Sequence, residues 1–230
     1  MKFFLLQVVA DSLQKAGESA AGTGKELSML DLLMKGGWIM IPLLLLSLIA
    51  VYVFVERWMA IKKASQIDEN FMNIIRDHIV TGNVTAARSL AKNTNNPVAR
   101  IIDKGLQRIG KPIEAIEKSM ENVGKLEVYK LEKNTGALSV ISGIAPMFGF
   151  LGTIVGMVQL FMKINITNEY NLAIISGGIY TKMVTSAVGL IIGLMAYVAY
   201  NYLNSQINKT VNKMESASAE FIDTLYQPTH

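Results

Sequence analysis

GALSVISGIAPMFGFLGTIVGMVQLFM, residues Gly136–Met162, runs for 27 positions without a charged side chain. About 20 apolar residues are enough to cross roughly 30 Å of hydrocarbon as a helix. A buried helix of a soluble domain seldom stays uncharged for so long, so this stretch predicts a membrane span. Two further blocks lie on either side of it. Trp38–Val55, WIMIPLLLLSLIAVYVFV, has 18 uncharged residues, opens on a Trp and is followed by Glu56, Arg57 and Trp58, the aromatic belt expected of side chains with an apolar body and a polar tip. Met183 to about Leu203 supplies 21 more, with a less apolar lead-in from Leu172.

The reading is therefore an all-α integral membrane protein with three transmembrane helices, spans two and three continuing as long helices into a cytoplasmic helical bundle. The expected divisions are an extracytoplasmic N-terminal amphipathic helix and link (1–37), span one (38–56), a cytoplasmic helical domain (57–135), span two (136–162), a short outer loop (163–171), span three (172–203) and a cytoplasmic C-terminal helix (204–230). Composition agrees: 51% hydrophobic and 17% charged, against roughly 45–50% and about 25% in soluble domains.

Orientation follows from cations near the span ends, because basic segments resist translocation. Arg57, Lys62, Lys63, Arg76, Lys118, Lys125, Lys130 and Lys133 flank the middle segment, against Lys25, Lys35 and Lys163 on the other side. This puts the N-terminus outside and the C-terminus in the cytoplasm of a multi-pass membrane protein. The start MKFFLLQVVA has the flavour of a signal peptide but lacks a small-x-small cleavage site. An amphipathic surface helix with Phe3, Phe4, Leu6, Val9 and Leu13 towards the lipid is preferred.

The middle segment reads as helices throughout. Asp68 is a candidate cap for a helix carrying Phe71, Ile74, Ile75 and Ile79. Thr81–Gly82–Asn83 is a turn before a helix from Val84 to about Lys92, and Pro97 stands at a favoured first position before Val98–Ile109. From Ile113 the apolar spacing continues without a proline until Pro146, which predicts one helix running straight into span two. Leu203, Ile207, Val211, Met214, Phe221 and Leu225 extend span three in the same way.

Catalysis has little to build on. The chain has no Cys, and His78 and His230 are its two histidines. No metal site, cofactor or catalytic residue is expected, an enzyme is not expected, and the modest net charge of +4 gives no reason to expect nucleic acid.

The informative residues are polar groups at membrane depth, where an unsatisfied hydroxyl is costly. In span two, Gly149, Gly152, Thr153 and Gly156 fall within two turns, with Gly149, Thr153 and Gly156 placed on one face. In span three, Thr181, Thr185, Gly189 and Gly193 recur every four residues beside Ser186. Small faces let helices approach closely, so Gly149, Gly152, Gly156, Gly189 and Gly193 are expected to pack helices. Thr153, Thr185, Ser186 and Thr181 are expected to line a hydrated path. Neither span contains Asp, Glu or His, so a proton carrier for such a path must come from another polypeptide. Lys182 is charged and near the outer end of its span, where a topology anchor with a snorkelling stem is the simplest role.

Ala145-Pro146, Gly149-Phe150-Leu151-Gly152-Thr153 and Gly156-Met157 together resemble the AP..GLLGTV.GM pattern of the MotA/TolQ/ExbB proton channel family. Gly178-Ile179, Ala187-Val188-Gly189-Leu190 and Tyr200-Asn201 are similar to its span-three pattern. The resemblance covers nearly the whole chain and is greatest for the ExbB/TolQ branch. It implies a ring-forming homo-oligomer, a pentamer, in the lipid bilayer around an ExbD/TolR-like single-span protein whose membrane Asp carries the proton, with work delivered through a TonB/TolA-like protein. By position, Thr153 and Ser186 would line the pore. The sequence departs from the family where a frequent Glu is replaced by Thr181, followed by Lys182, and where a later Pro is replaced by Met195. A TolQ-like role in envelope integrity and division, a sodium-driven version and a non-conducting scaffold of packed helices are the alternative readings.

Overall fold

The computed structural model describes residues 38–66, 70–167 and 172–226. Among the described residues all regular structure is helical: α1 (Met40–Ser65), α2 (Phe71–Val80), α3 (Val84–Asn93), α4 (Pro97–Leu106), α5 (Ile113–Glu132), α6 (Thr135–Thr167) and α7 (Leu172–Tyr226). The expected N-terminal surface helix, the Asp68 cap and part of the loop between spans two and three lie outside these residues.

Among the described residues three helices are long and apolar enough to cross a membrane: α1, α6 and the first part of α7. Many of their apolar side chains face outwards, with Leu48 71%, Met147 70% and Leu194 64% exposed. Water would penalise that surface, whereas lipid tails accept it. At 55 residues, α7 is about 80 Å long at 1.5 Å per residue. It leaves the membrane and continues as the spine of a helical bundle made with α2, α4 and α5.

Local chemistry sets the ends of the short helices. The Asn83 side chain accepts a hydrogen bond from the Ala86 amide (3.1 Å), and the Asn96 side chain accepts one from Ala99 (2.7 Å) with Pro97 starting α4. Each satisfies an amide donor that the first turn leaves unpaired. In the bundle, Phe71, Ile75 and Ile79 of α2 point inwards, as does Ile102 of α4, while Ile74 is 41% exposed. Leu203, Ile207, Met214 and Phe221 form the buried stripe of α7. Gly105 is where this stripe approaches most closely, since a Cβ there would lie 2.5 Å from the Phe221 ring.

One expectation is corrected. The helix from Ile113 does not run straight into span two: α5 stops at Glu132, Lys133 is extended, and Asn134 adopts φ 64° before α6 begins at Thr135. Asn tolerates the left-handed region better than other side-chain-bearing residues. The Thr135 hydroxyl donates to the Glu132 carbonyl at 2.7 Å, and the Ala137 amide donates to that of Asn134. Arg57, at the bundle end of the first span, is buried, pairs with Glu56 and donates to the Lys130 carbonyl of α5 at 3.4 Å. This tie holds α5 beside span one.

A buried carboxylate stands in the same region. Glu127, 3% exposed, accepts from Arg100 (2.6 Å) and Lys130 (2.7 Å). Burial alone would raise its pKa, but the two cationic donors outweigh it and hold the carboxyl below the ordinary value. A carboxylate whose folded pKa is depressed adds stability above its unfolded pKa and loses it as pH falls through the folded value. Glu127→Gln is therefore expected to cost about 2 kcal/mol at pH 7, and the gap from wild type should narrow on acidification below pH 4.5. Thermal melts at both pH values check this; an undiminished gap in acid would refute it.

Candidate functional site: the α6–α7 seam

Helices α6 and α7 run antiparallel and meet along a line of small residues. Gly189 faces the backbone of α6 directly: a Cβ built there would lie 2.7 Å from the Ala145 carbonyl oxygen and 2.8 Å from the Gly149 Cα. On Gly149 a Cβ would lie 3.1 Å from the Ser186 carbonyl oxygen, and on Gly193 it would lie 2.6 Å from Pro146 Cγ. Pro146 has no amide hydrogen to donate to the Ser142 carbonyl, and that oxygen faces Gly193, 3.0 Å from the position of a Cβ there.

Towards the α6–α7 connection, Gly152 lies against Thr185, whose Cγ2 would be 2.9 Å from a Cβ on the glycine, and against Ile39 from the entry to span one. Gly156 lies under the aliphatic stem of Lys182, and Gly178 meets Leu160. All five glycines singled out in the sequence, Gly149, Gly152, Gly156, Gly189 and Gly193, thus stand in this contact.

The hydroxyls divide differently from the sequence expectation. Gly152 stands in the packing face of α6, against Thr185 and Ile39. Thr153 is half-exposed and its Oγ1 donates to the Phe150 carbonyl at 2.6 Å, which satisfies the hydroxyl within its own helix. Thr185 is completely buried within the protomer, so in this chain it is a packing residue of the three-helix junction and not a surface hydroxyl. Ser186 is half-buried and lines a groove with Pro146, Phe150, Ile154 and Leu190. Thr181 lies in α7, but its side chain is outside the described set.

With 100° per residue, Thr153 is turned from Gly152 towards Phe150, and Ser186 is turned from Thr185 towards Leu190. Ser186 therefore stands on the groove flank of the seam, and Thr153 on the side of α6 turned away from Ile39. The spacing alone does not separate Ser186 from Thr185, because adjacent small residues satisfy the same four-residue interval. Among the described residues no cluster of three His, Asp or Glu side chains suitable for a metal is present.

Residues 93–216, from the end of α3 through the seam and deep into the α7 extension, match the model of the MotA/TolQ/ExbB proton channel family. The chain belongs to that family. An ExbB homolog in biopolymer transport from Methanothermobacter thermautotrophicus is 25% identical over 175 residues, covering 74% of this chain and 62% of that protein. An ExbB-like biopolymer transport protein of Synechocystis is 25% identical over 203 residues, 86% of this chain and 94% of its own length. TolQ of the Tol-Pal system in Haemophilus influenzae is 27% identical over 111 residues, 48% of this chain and 47% of TolQ. The chain therefore spans less than two thirds of the first relative and nearly all of the second. For this member of the MotA/TolQ/ExbB family, the matched region contains the whole glycine seam and the hydroxyls of Thr153 and Ser186.

Proposed function

We propose that this protein is the ring-forming subunit of an inner-membrane proton channel. As a homo-pentamer it would enclose an ExbD/TolR-like single-span partner and convert the proton motive force into mechanical work. The N-terminus and residues 163–171 would lie outside, with residues 57–135 and 204–230 in the cytoplasm. The observation that carries this reading is a division of chemistry. Spans two and three contain no Asp, Glu or His, while Ser186 lines a groove beside the seam and the half-exposed Thr153 carries a second hydroxyl on α6.

A hydroxyl can pass a hydrogen-bonded proton along but does not store one at neutral pH. Storage falls to the partner's carboxylate. Each proton crossing the membrane field is worth ~2.3 kcal/mol per 100 mV. Binding and release alternately neutralise and charge that carboxylate, and the change in solvation alters which part of the ring the partner helix prefers. The work would pass to a TonB/TolA-like protein. The work so delivered would energise TonB-dependent outer-membrane transport, with a TolQ-like role in envelope integrity and division as the second reading.

Thr153→Val and Ser186→Val test the path. Both are expected to assemble in normal amount, because neither side chain is among those that meet the seam glycines, while proton-driven activity falls at least tenfold. Full activity in both variants would overturn the channel reading in favour of a scaffold.

A further inference from the structure

Resting on the channel reading above, we infer that Lys182 is a resident counter-cation, whose ammonium receives the partner helix's carboxylate in its ionised state one turn from the path hydroxyls. Lys182 is the one charge between Leu172 and Leu203, and a charge at membrane depth needs a compensating reason.

Its stem is seated. Any side chain on Gly156 would overlap the Lys182 stem from Cγ to Cε, so α6 supplies a glycine where the lysine crosses. The crossing is level: Gly178 meets Leu160, Lys182 meets Gly156 and Thr185 meets Gly152 in even steps. A snorkelling lysine would instead run along the helix towards the headgroups. Ser186 is one turn further along α7, about 6 Å, and Thr153 is three residues before Gly156, so the ammonium sits beside the hydroxyl level on the α6–α7 connection side.

No carboxylate answers it among the described residues. Among the described residues Lys182 has no ion pair. On α6 the nearest charge is Lys163, exposed and two turns beyond Gly156; on α7 the nearest titratable group is Tyr180, 48% exposed; on α1, Met40–Val55 offers Tyr52 alone, near the bundle end. A cation held there lowers the pKa of an approaching carboxylic acid. The acid's O–H bond breaks, the proton leaves along the hydroxyls, and the carboxylate keeps the electron pair beside the ammonium.

The test is the pH profile of proton flux in vesicles holding the complex isolated through this chain, compared for wild type, Lys182→Met and Lys182→Arg. Losing the ammonium raises the carboxylate pKa, so the Met variant should move the acid limb to higher pH by at least one unit, about a tenfold loss of flux on that limb. The Arg variant should keep the wild-type limb. Superimposable Met and wild-type profiles would overturn the inference, and loss of bound anionic phospholipid with an unmoved limb would assign Lys182 to a headgroup instead. Equal losses in Met and Arg at every pH would reduce it to stem packing. Absence of flux in wild type would defeat the channel reading itself, whereas wild-type flux with an unmoved limb defeats only the role of Lys182.

Discussion

Gly189→Ala should remove most correctly assembled protein from the membrane. The added methyl would stand 2.7 Å from the Ala145 carbonyl oxygen and 2.8 Å from the Gly149 Cα. Both are backbone atoms of α6, so no rotamer change relieves the clash. Only a parting of the two helices does, and that forfeits close contact at Gly149 and Gly193 as well. Overpacking of a well-fitted core costs about 1–3 kcal/mol, and a backbone-on-backbone clash belongs at the upper end. The control lies in the facing helix α6: Gly136 and Gly143 have nothing within 4 Å of a built Cβ, so Ala at either should be neutral or slightly stabilising through reduced chain entropy. Detergent-solubilised thermal melts and the yield of oligomer separate these outcomes. Normal assembly of Gly189→Ala would show that the seam does not hold the helices at this distance.

The same seam explains what the sequence does and does not disclose. Three uncharged blocks are legible because hydrocarbon tolerates little else, and the glycine spacing is legible because close approach demands small residues at three- and four-residue intervals. The side on which each hydroxyl falls is not legible. Gly152 and Thr153 differ by 100° of rotation, and only the position of Ile39 from a distant part of the chain decides which of them faces inwards. The break at Asn134 is hidden for a different reason. The apolar stripe of α5 is in phase with that of α6, so periodicity carries across the junction, while the local Asn-Thr-Gly signal is outweighed in any long window. Glu127 reads as an exposed helical charge until Arg100, 27 residues away, is brought against it by the fold. Lys182 likewise acquires a fixed direction only from Gly156.

These placements converge on the second large effect, which follows from the acids that the spans lack. Walls of hydroxyls and glycines provide hydrogen bonds and room for a helix, but spans two and three offer no Asp, Glu or His to carry a proton. The protein alone in sealed vesicles under an imposed pH gradient and potential is therefore expected to leave the gradient intact. Vesicles holding it together with its single-span, Asp-bearing partner should dissipate that gradient at least tenfold faster, and Asp→Asn in the partner should return the rate to that of the protein alone. Rapid proton flux through the isolated protein, equal to that of the complex, would contradict the account.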